Sequence, residues 1–428
     1  MLSSVVKQFK NLSHFNWAIF DQAIVSGSNF LYGILLARIL GVEGFGYFSL
    51  VWVAILFVNN IQMAYIISPM MTFAPKKVGV IRAVYGQYAF IHAVFFAIIS
   101  SLLLFSFVKA SSIFFSEWQA DIYAYAILFV SFSTQLQEYL RRYLYIKGKH
   151  AAVCLIDLVR YGGQVGLLFV LSIYLEVSSQ DALWIIVITS TISFVFSISS
   201  CSLSLRGLCW KRKYFVLIFH RHLKFSKWLI GSSLLQWFAG NIFVIAAAAL
   251  FGAAAAGMIK AVMNIVGILH ILFHALENII TPRASYIYTS NGIIALKNYL
   301  IKWGVYGGAG TLCIGLIITM NAELIIEFVY QGEYVEGASL LRWLCLVYLM
   351  MYFGFIFRIA LRTIEAVSPI FWTYVASSLV SFIIAEPLIK ATGIDGVGIG
   401  GVIVQTVSLT ILGVMLNYKA KYTKGSRM

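Results

Sequence analysis

Leu36-Ala37-Arg38-Ile39-Leu40-Gly41-Val42-Glu43-Gly44-Phe45-Gly46-Tyr47-Phe48-Ser49 is a short interruption between two long apolar runs, 15–38 and 47–73. Gly41, Gly44 and Gly46 mark a tight joint. Each flanking run is long enough to cross about 30 Å of hydrocarbon. The stretch therefore reads as the turn of a transmembrane helical hairpin. Ten more runs of span length follow, near 83–107, 122–145, 150–173, 182–204, 229–250, 257–281, 299–319, 339–361, 369–390 and 396–417. An open sheet edge in lipid would leave backbone groups unpaired, so only helices suit these segments. The expectation is an all-α polytopic membrane protein of about twelve spans.

Composition agrees. Of the 428 residues, 61% are hydrophobic and 11% charged, and the mean hydropathy is +0.90. A soluble domain carries about 25% charged residues, so this chain lacks the polar surface of a water-soluble globule. Little length is left for an extramembrane domain, which excludes a soluble enzyme on a single anchor. Five cysteines without a C-x-x-C pair argue against a disulfide framework or a zinc ribbon. The polar, mildly basic start, Met1 to Asn16, does not read as a cleavable leader.

The net charge of +15 follows from sidedness. Lys and Arg gather in alternate connections: Lys76, Lys77 and Arg82; Arg141, Arg142, Lys147 and Lys149; Lys211, Arg212, Lys213, Arg221, Lys224 and Lys227; Arg283 and Lys297; Arg358 and Arg362. The opposite connections carry Glu43, Asp121, Glu176, Asp181, Glu323, Glu333 and Asp395. By the positive-inside rule both termini are cytoplasmic, and the asymmetry explains the charge without nucleic acid as a partner. The longest basic connection suggests an N-terminal lobe over 1–204, a cytoplasmic linker over 205–228 and a C-terminal lobe over 229–428.

The first turn has an echo. Phe251-Gly252-Ala253-Ala254-Ala255-Ala256-Gly257-Met258 places Gly252 opposite Gly41 and Gly257 opposite Gly46. Arg142 and Arg358 occupy similar positions near the ends of spans four and ten. Two parallel six-helix repeats, with substrate bound between rocking halves, are a common transporter plan.

The segment 36–49 resembles the motif closing the first hairpin of Wzx-type O-antigen and polysaccharide flippases, in the superfamily that also holds the MATE exporters. Asp21-Gln22 with Ser28-Asn29, and Leu140-Arg141-Arg142 leading to Lys147-Gly148-Lys149, are similar too. The resemblance implies a MATE-like V-shaped bundle in the bacterial cytoplasmic membrane, around a central cavity that is often cationic. It implies an undecaprenyl-diphosphate-linked oligosaccharide as cargo, moved from the inner to the outer leaflet. Membrane lipids, a polysaccharide polymerase and a chain-length regulator would be partners, and no cofactor is implied.

Ionisable groups within spans are costly, by roughly 2.5–3.5 kcal/mol at mid-depth, and are functional candidates by default. Span eight carries Lys260, Asn264, Gly267, His270, His274 and Glu277 at helical spacing. That stripe reads either as a cavity wall, with Lys260 as anion contact, or as a snorkelling lysine with Glu277 paired to a nearby base. Asp157 and Arg160 in span five stand one turn apart and are expected to neutralise each other. Asp21, Ser28 and Asn29 in span one, and Asn59, Asn60 and Gln62 in span two, supply carboxylate and amide groups suited to sugar hydroxyls. Glu138 with Arg141 and Arg142, and Arg358 with Arg362, form candidate cationic entrances. Asp21, Glu138, Asp157, His274 and Glu277 are the candidates for coupling to protons, and no metal site is expected. A MATE-type cation-coupled drug exporter shares the fold but favours acidic cavities. A membrane polymerase or glycosyltransferase lacks here the large outer loop it requires.

Overall fold

In the computed structural model, backbone is described for residues 2–77, 79–114, 120–201, 211–366 and 368–425, and no strand occurs among them. The chain forms two compact units, Met1–Leu234 and Leu235–Met428. The division falls inside a helix, Arg212–Phe251, which also takes up the second half of the stretch expected as a linker. Residues 202–210 lie outside the described part.

In the first unit α1 (Leu2–Gln62) runs through the opening hairpin and is broken at Gly41. Gly41 has φ 67° and ψ −179°, a backbone state open essentially to glycine alone. One long helix thus serves as two spans. A π segment, Met63–Ile67, joins it to α2 (Ser68–Phe73), and the Ser68 hydroxyl donates to the Met63 carbonyl at 2.8 Å. Then come α3 (Gly79–Phe114), α4 (Ala124–Ile146) and α5 (His150–Asp157). A second π segment, Leu158–Gly162, leads into α6 (Gly163–Tyr174), and α7 (Ser179–Cys201) follows. The Ser179 hydroxyl ties α7 to the hairpin turn by donating to the Gly44 carbonyl at 2.7 Å.

The second unit repeats the plan. α8 (Arg212–Phe251) ends at Gly252, with φ 82° and ψ −176°, and α9 (Ala253–Val266) begins beyond it. Gly41 and Gly252 therefore share one rare conformation, so the echo read from two glycines reflects common backbone geometry. α10 (Ile268–Met320) contains Pro282 and is broken at Gly292. These mirror Pro69 and Gly79 of the first unit, and Gly79 and Gly292 both have positive φ. α11 (Ala322–Tyr330), α12 (Ala338–Thr363), α13 (Ser368–Thr392) and α14 (Asp395–Gly425) complete the chain.

Among the described residues ten helical stretches are long and apolar enough to cross a membrane, and one of them, Phe20–Phe73, contains both arms of the first hairpin. α4 is not among them, because Glu138, Arg141 and Arg142 interrupt its apolar run. Polar groups also tie helices of the first unit together. Gln62 donates to the Gln135 carbonyl at 2.9 Å, and the Gln135 amide donates to Ser131 at 2.9 Å. In the second unit α12 packs against α9, α10 and α14.

Candidate functional site

The first unit holds a buried charge cluster built from three spans. Arg141 of α4 is its hub. Its guanidinium donates to Asp21 of α1 at 3.0 Å, to Asp157 at the end of α5, and to Glu138 at 3.4 Å. Asp21, Asp157 and Arg141 are all buried. Arg142 donates to Glu138 at 2.6 Å, and Arg160 stands 3.9 Å from the same carboxylate. Arg160 also donates to the Gln137 side chain, and the Tyr145 hydroxyl donates to Asp21. Three carboxylates thus face three guanidinium groups, and the cluster is formally neutral. Taking two charges out of water is repaid only by such dense pairing.

This corrects one expectation. Asp157 and Arg160 do not neutralise each other: Asp157 pairs with Arg141 and Arg160 with Glu138. The reason lies in the backbone, since Arg160 sits in the π segment Leu158–Gly162, which shifts the helical register after Asp157. Asp21 is sealed against Arg141 and Tyr145. Four buried polar atoms keep no protein partner: Asp21 Oδ1, Asp157 Oδ1, Gln137 Nε2 and Arg160 Nε. A carboxylate oxygen and an arginine N–H left over within one cluster give it capacity for a proton or a polar guest.

The other first-unit candidates divide. Asn29 and Asn60 are exposed, whereas Asn59 is half-buried with an unpartnered Oδ1. Gln62, expected to face a cavity, is buried and spends its amide on α4.

In the second unit two cations, Lys260 and Arg358, stand in spans with no carboxylate within bridging distance among the described residues. Lys260 lies eight residues past Gly252, about 12 Å along the helix. Among the described residues its ammonium reaches an amide oxygen, Asn241 Oδ1 at 3.4 Å, and no carboxylate. One turn on, Asn264 is half-buried and its Nδ2 has no partner. The polar stripe expected through span eight passes Gly267, a single turn residue with helical dihedrals (φ −57°, ψ −23°) between α9 and α10. Beyond Gly267, His270 lies edge-on to Tyr348, ring centres 5.0 Å apart, and beside Phe273 at 6.0 Å. The His274 side chain lies outside the described residues. Glu277 accepts from Arg362 at 2.8 Å, as the ion-pair reading held.

Arg358 of α12 has no carboxylate within bridging distance among the described residues. Its polar neighbours are Tyr374, Arg362 and Glu277, and Glu277 is already bridged to Arg362. Matching helix ends fix its counterpart in the first unit. α4 stops in a cap with Gly148 at φ 72°, the Lys149 N–H donating to the Leu144 carbonyl at 3.1 Å. α12 stops in the same cap, with Glu365 at φ 60° and the Ala366 N–H donating to the Leu361 carbonyl at 2.8 Å. Each cap lies seven residues beyond an arginine, so Arg358 corresponds to Arg141 rather than to Arg142. The same register puts Tyr374 opposite Asp157. The glycine register puts Ser232, in the part of α8 that precedes the second unit, opposite Asp21. The repeat keeps the hub arginine and has lost both aspartates.

Sequence reasoning named Arg141 as an entrance and missed it as a hub. The signal was present: Asp21 sits in a span with no base within one turn, so a base from another span had to serve it. Among the described residues no group of three or more His, Cys, Asp or Glu is placed to hold a metal ion.

No protein-family model matches the chain, and no curated protein sequence matches it. Solved structures do. An inward-facing multidrug-resistance MATE family transporter of the MOP superfamily aligns with TM-score 0.77 at 15% identity, over 95% of this chain and 96% of that one. A MOP superfamily transporter from Pyrococcus furiosus, described as having a binding pocket of reverse polarity, aligns with TM-score 0.64 at 14% identity, over 95% and 94%. An outward-facing MATE family transporter aligns with TM-score 0.58 at 15% identity, over 95% and 94%. The chain has the fold of these transporters, an all-α polytopic membrane architecture.

Proposed function

We propose that this protein is a flippase. It carries an undecaprenyl-diphosphate-linked oligosaccharide, such as an O-antigen repeat unit, from the inner to the outer leaflet of the bacterial cytoplasmic membrane by alternating access. One observation carries the reading: among the described residues Lys260 and Arg358 stand in membrane spans with no carboxylate within bridging distance, Lys260 beside the amides of Asn241 and Asn264. Unpaired cations in a span are expensive unless an anion visits them. A diphosphate supplies that anion, and the amides suit sugar hydroxyls because they both donate and accept. The fold supports alternating access, since its solved relatives include inward-facing and outward-facing MATE transporters. The reverse-polarity pocket of the Pyrococcus relative shows that departures from a single pocket charge occur within this fold.

In this reading Arg142 and the basic loops gather the diphosphate from the cytoplasmic leaflet, and Arg358 and Lys260 offset its charge in passage. Asn29, Asn59 and Asn60 meet the glycan. Export of an anion toward the positive outside is favoured by about 2.3 kcal/mol per charge per 100 mV, so the membrane potential suffices as a drive. The first-unit cluster favours a second reading, a cation-coupled drug exporter using Asp21, Glu138 or Asp157. That reading requires carboxylates free to take up a cation, and here each one is held by an arginine.

Deleting the gene and locating the lipid-linked repeat unit tests the proposal. Accumulation on the inner leaflet, relieved by the wild-type chain but not by Lys260→Ala or Arg358→Ala at equal membrane levels, is the expected result. Outer-leaflet accumulation of single units points to a polymerase and sinks the flippase. Unchanged polysaccharide with heightened drug sensitivity supports the exporter.

A further inference from the structure

The second unit contains a groove of about 530 Å³ that none of the transport chemistry above uses. Its walls come from the first part of α10 beyond Gly292, the cap end of α12 and the end of α14. Leu300, Ile301, Phe353 and Ile356 make it apolar, and Lys297 and Asn417 are its polar lining residues. Gly304 opens it: this glycine is buried, yet a Cβ built on it meets no atom within 4 Å. From Ile293 to Val305 the α10 wall rises over twelve residues, about 18 Å of helix. That is close to the hydrocarbon depth of one leaflet, about 15 Å. Lys297 and Asn417 sit at the end nearest the α12 cap, on the face that carries the Lys- and Arg-rich connections.

We propose that this groove binds one acyl chain of an anionic phospholipid, with the phosphate held beside Lys297 and Asn417. Charge decides the occupant. One lysine and one amide match the single negative charge of a phosphodiester, whereas a diphosphate would bring more charge than this end of the groove answers. A basic side chain at the membrane surface attracts an anionic headgroup by about 1 kcal/mol, and the apolar walls replace neighbouring hydrocarbon around the chain. The site is independent of the flippase reading, because it needs only a bilayer containing anionic lipid.

Native mass spectrometry of the full-length protein, released from mixed vesicles of phosphatidylglycerol and phosphatidylcholine with identical acyl chains, tests the site. Wild type is expected to retain phosphatidylglycerol about fivefold over phosphatidylcholine. Lys297→Gln, an exposed change that leaves the walls intact, should bring the two lipids level. Gly304→Phe should fill the groove and cut retention of both lipids about tenfold. Gly304 sits in a helix facing open space, so an unchanged thermal midpoint is the accompanying expectation. Equal retention of the two lipids by wild type, or undiminished retention by Gly304→Phe, overturns the assignment. Displacement of phosphatidylglycerol by added polyprenyl diphosphate, abolished by Gly304→Phe, would give the groove to a cargo tail and likewise overturn it.

Discussion

Arg141 and Arg358 occupy the same place in the two units, seven residues before the same helix cap, and live in opposite electrostatic worlds. Arg141 is enclosed by Asp21, Glu138 and Asp157. Arg358 has Tyr374 where its counterpart has Asp157, and Ser232 stands where Asp21 would be. A repeated fold has been given one neutral, cross-linked charge cluster and one uncompensated cation. The difference teaches that repeat symmetry constrains backbone more tightly than charge: the glycines and caps agree while the carboxylates do not.

The strongest way to break the comparison is to remove the hubs. Arg141→Leu strands Asp21 and Asp157 as unpaired buried carboxylates, and breaking a buried pair typically costs about 3–5 kcal/mol. We expect a large fall in thermal midpoint and in membrane level, partly rescued by adding Asp21→Asn and Asp157→Asn. A folded, fully stable Arg141→Leu protein would show that the cluster bears no structural load.

Arg358→Leu should behave in the opposite sense. It removes an unpaired cation worth roughly 2.5–3.5 kcal/mol of insertion cost at mid-depth, so stability holds or rises. Lipid-linked glycan flipping in proteoliposomes should nonetheless fall about tenfold or more, as one lost charge contact implies. Tyr374→Asp sharpens the test by restoring a carboxylate opposite Asp157, and it should likewise stabilise the protein while slowing flipping. Wild-type flipping by both variants removes Arg358 from the path.

These contrasts also explain what could be read in advance. The spans were legible because a lipid-crossing helix writes a long apolar run, and the repeat because Gly41 and Gly252 adopt a backbone state that other residues resist. The partnerships within the site were not legible. Arg141 finds Asp21 across 120 residues of chain, a pairing set by helix packing. Arg160 turns from Asp157 to Glu138 because of a π segment that no spacing rule announces.

Where the two units agree, matched substitutions should agree too. Gly41→Ala and Gly252→Ala each force a Cβ into the region near φ 70–80° with extended ψ, a strain of about 1–3 kcal/mol. Thermal unfolding in detergent should show losses of similar size. A cost at one position only would mean that the two hinges merely look alike.

The smallest expected effect separates the caps. Both α4 and α12 end with a left-handed residue, but one is Gly148 and the other Glu365. Glycine adopts that conformation without a Cβ penalty, and a glutamate there costs up to about 1 kcal/mol. Glu365→Gly should therefore raise the thermal midpoint slightly, while Gly148→Ala lowers it by a comparable amount. Both effects should leave flipping untouched, because the cap fixes where α12 ends and the arginine seven residues before it keeps its place. Should Glu365→Gly instead reduce flipping at unchanged stability, the Glu365 carboxylate would belong with Arg358 in handling the charge.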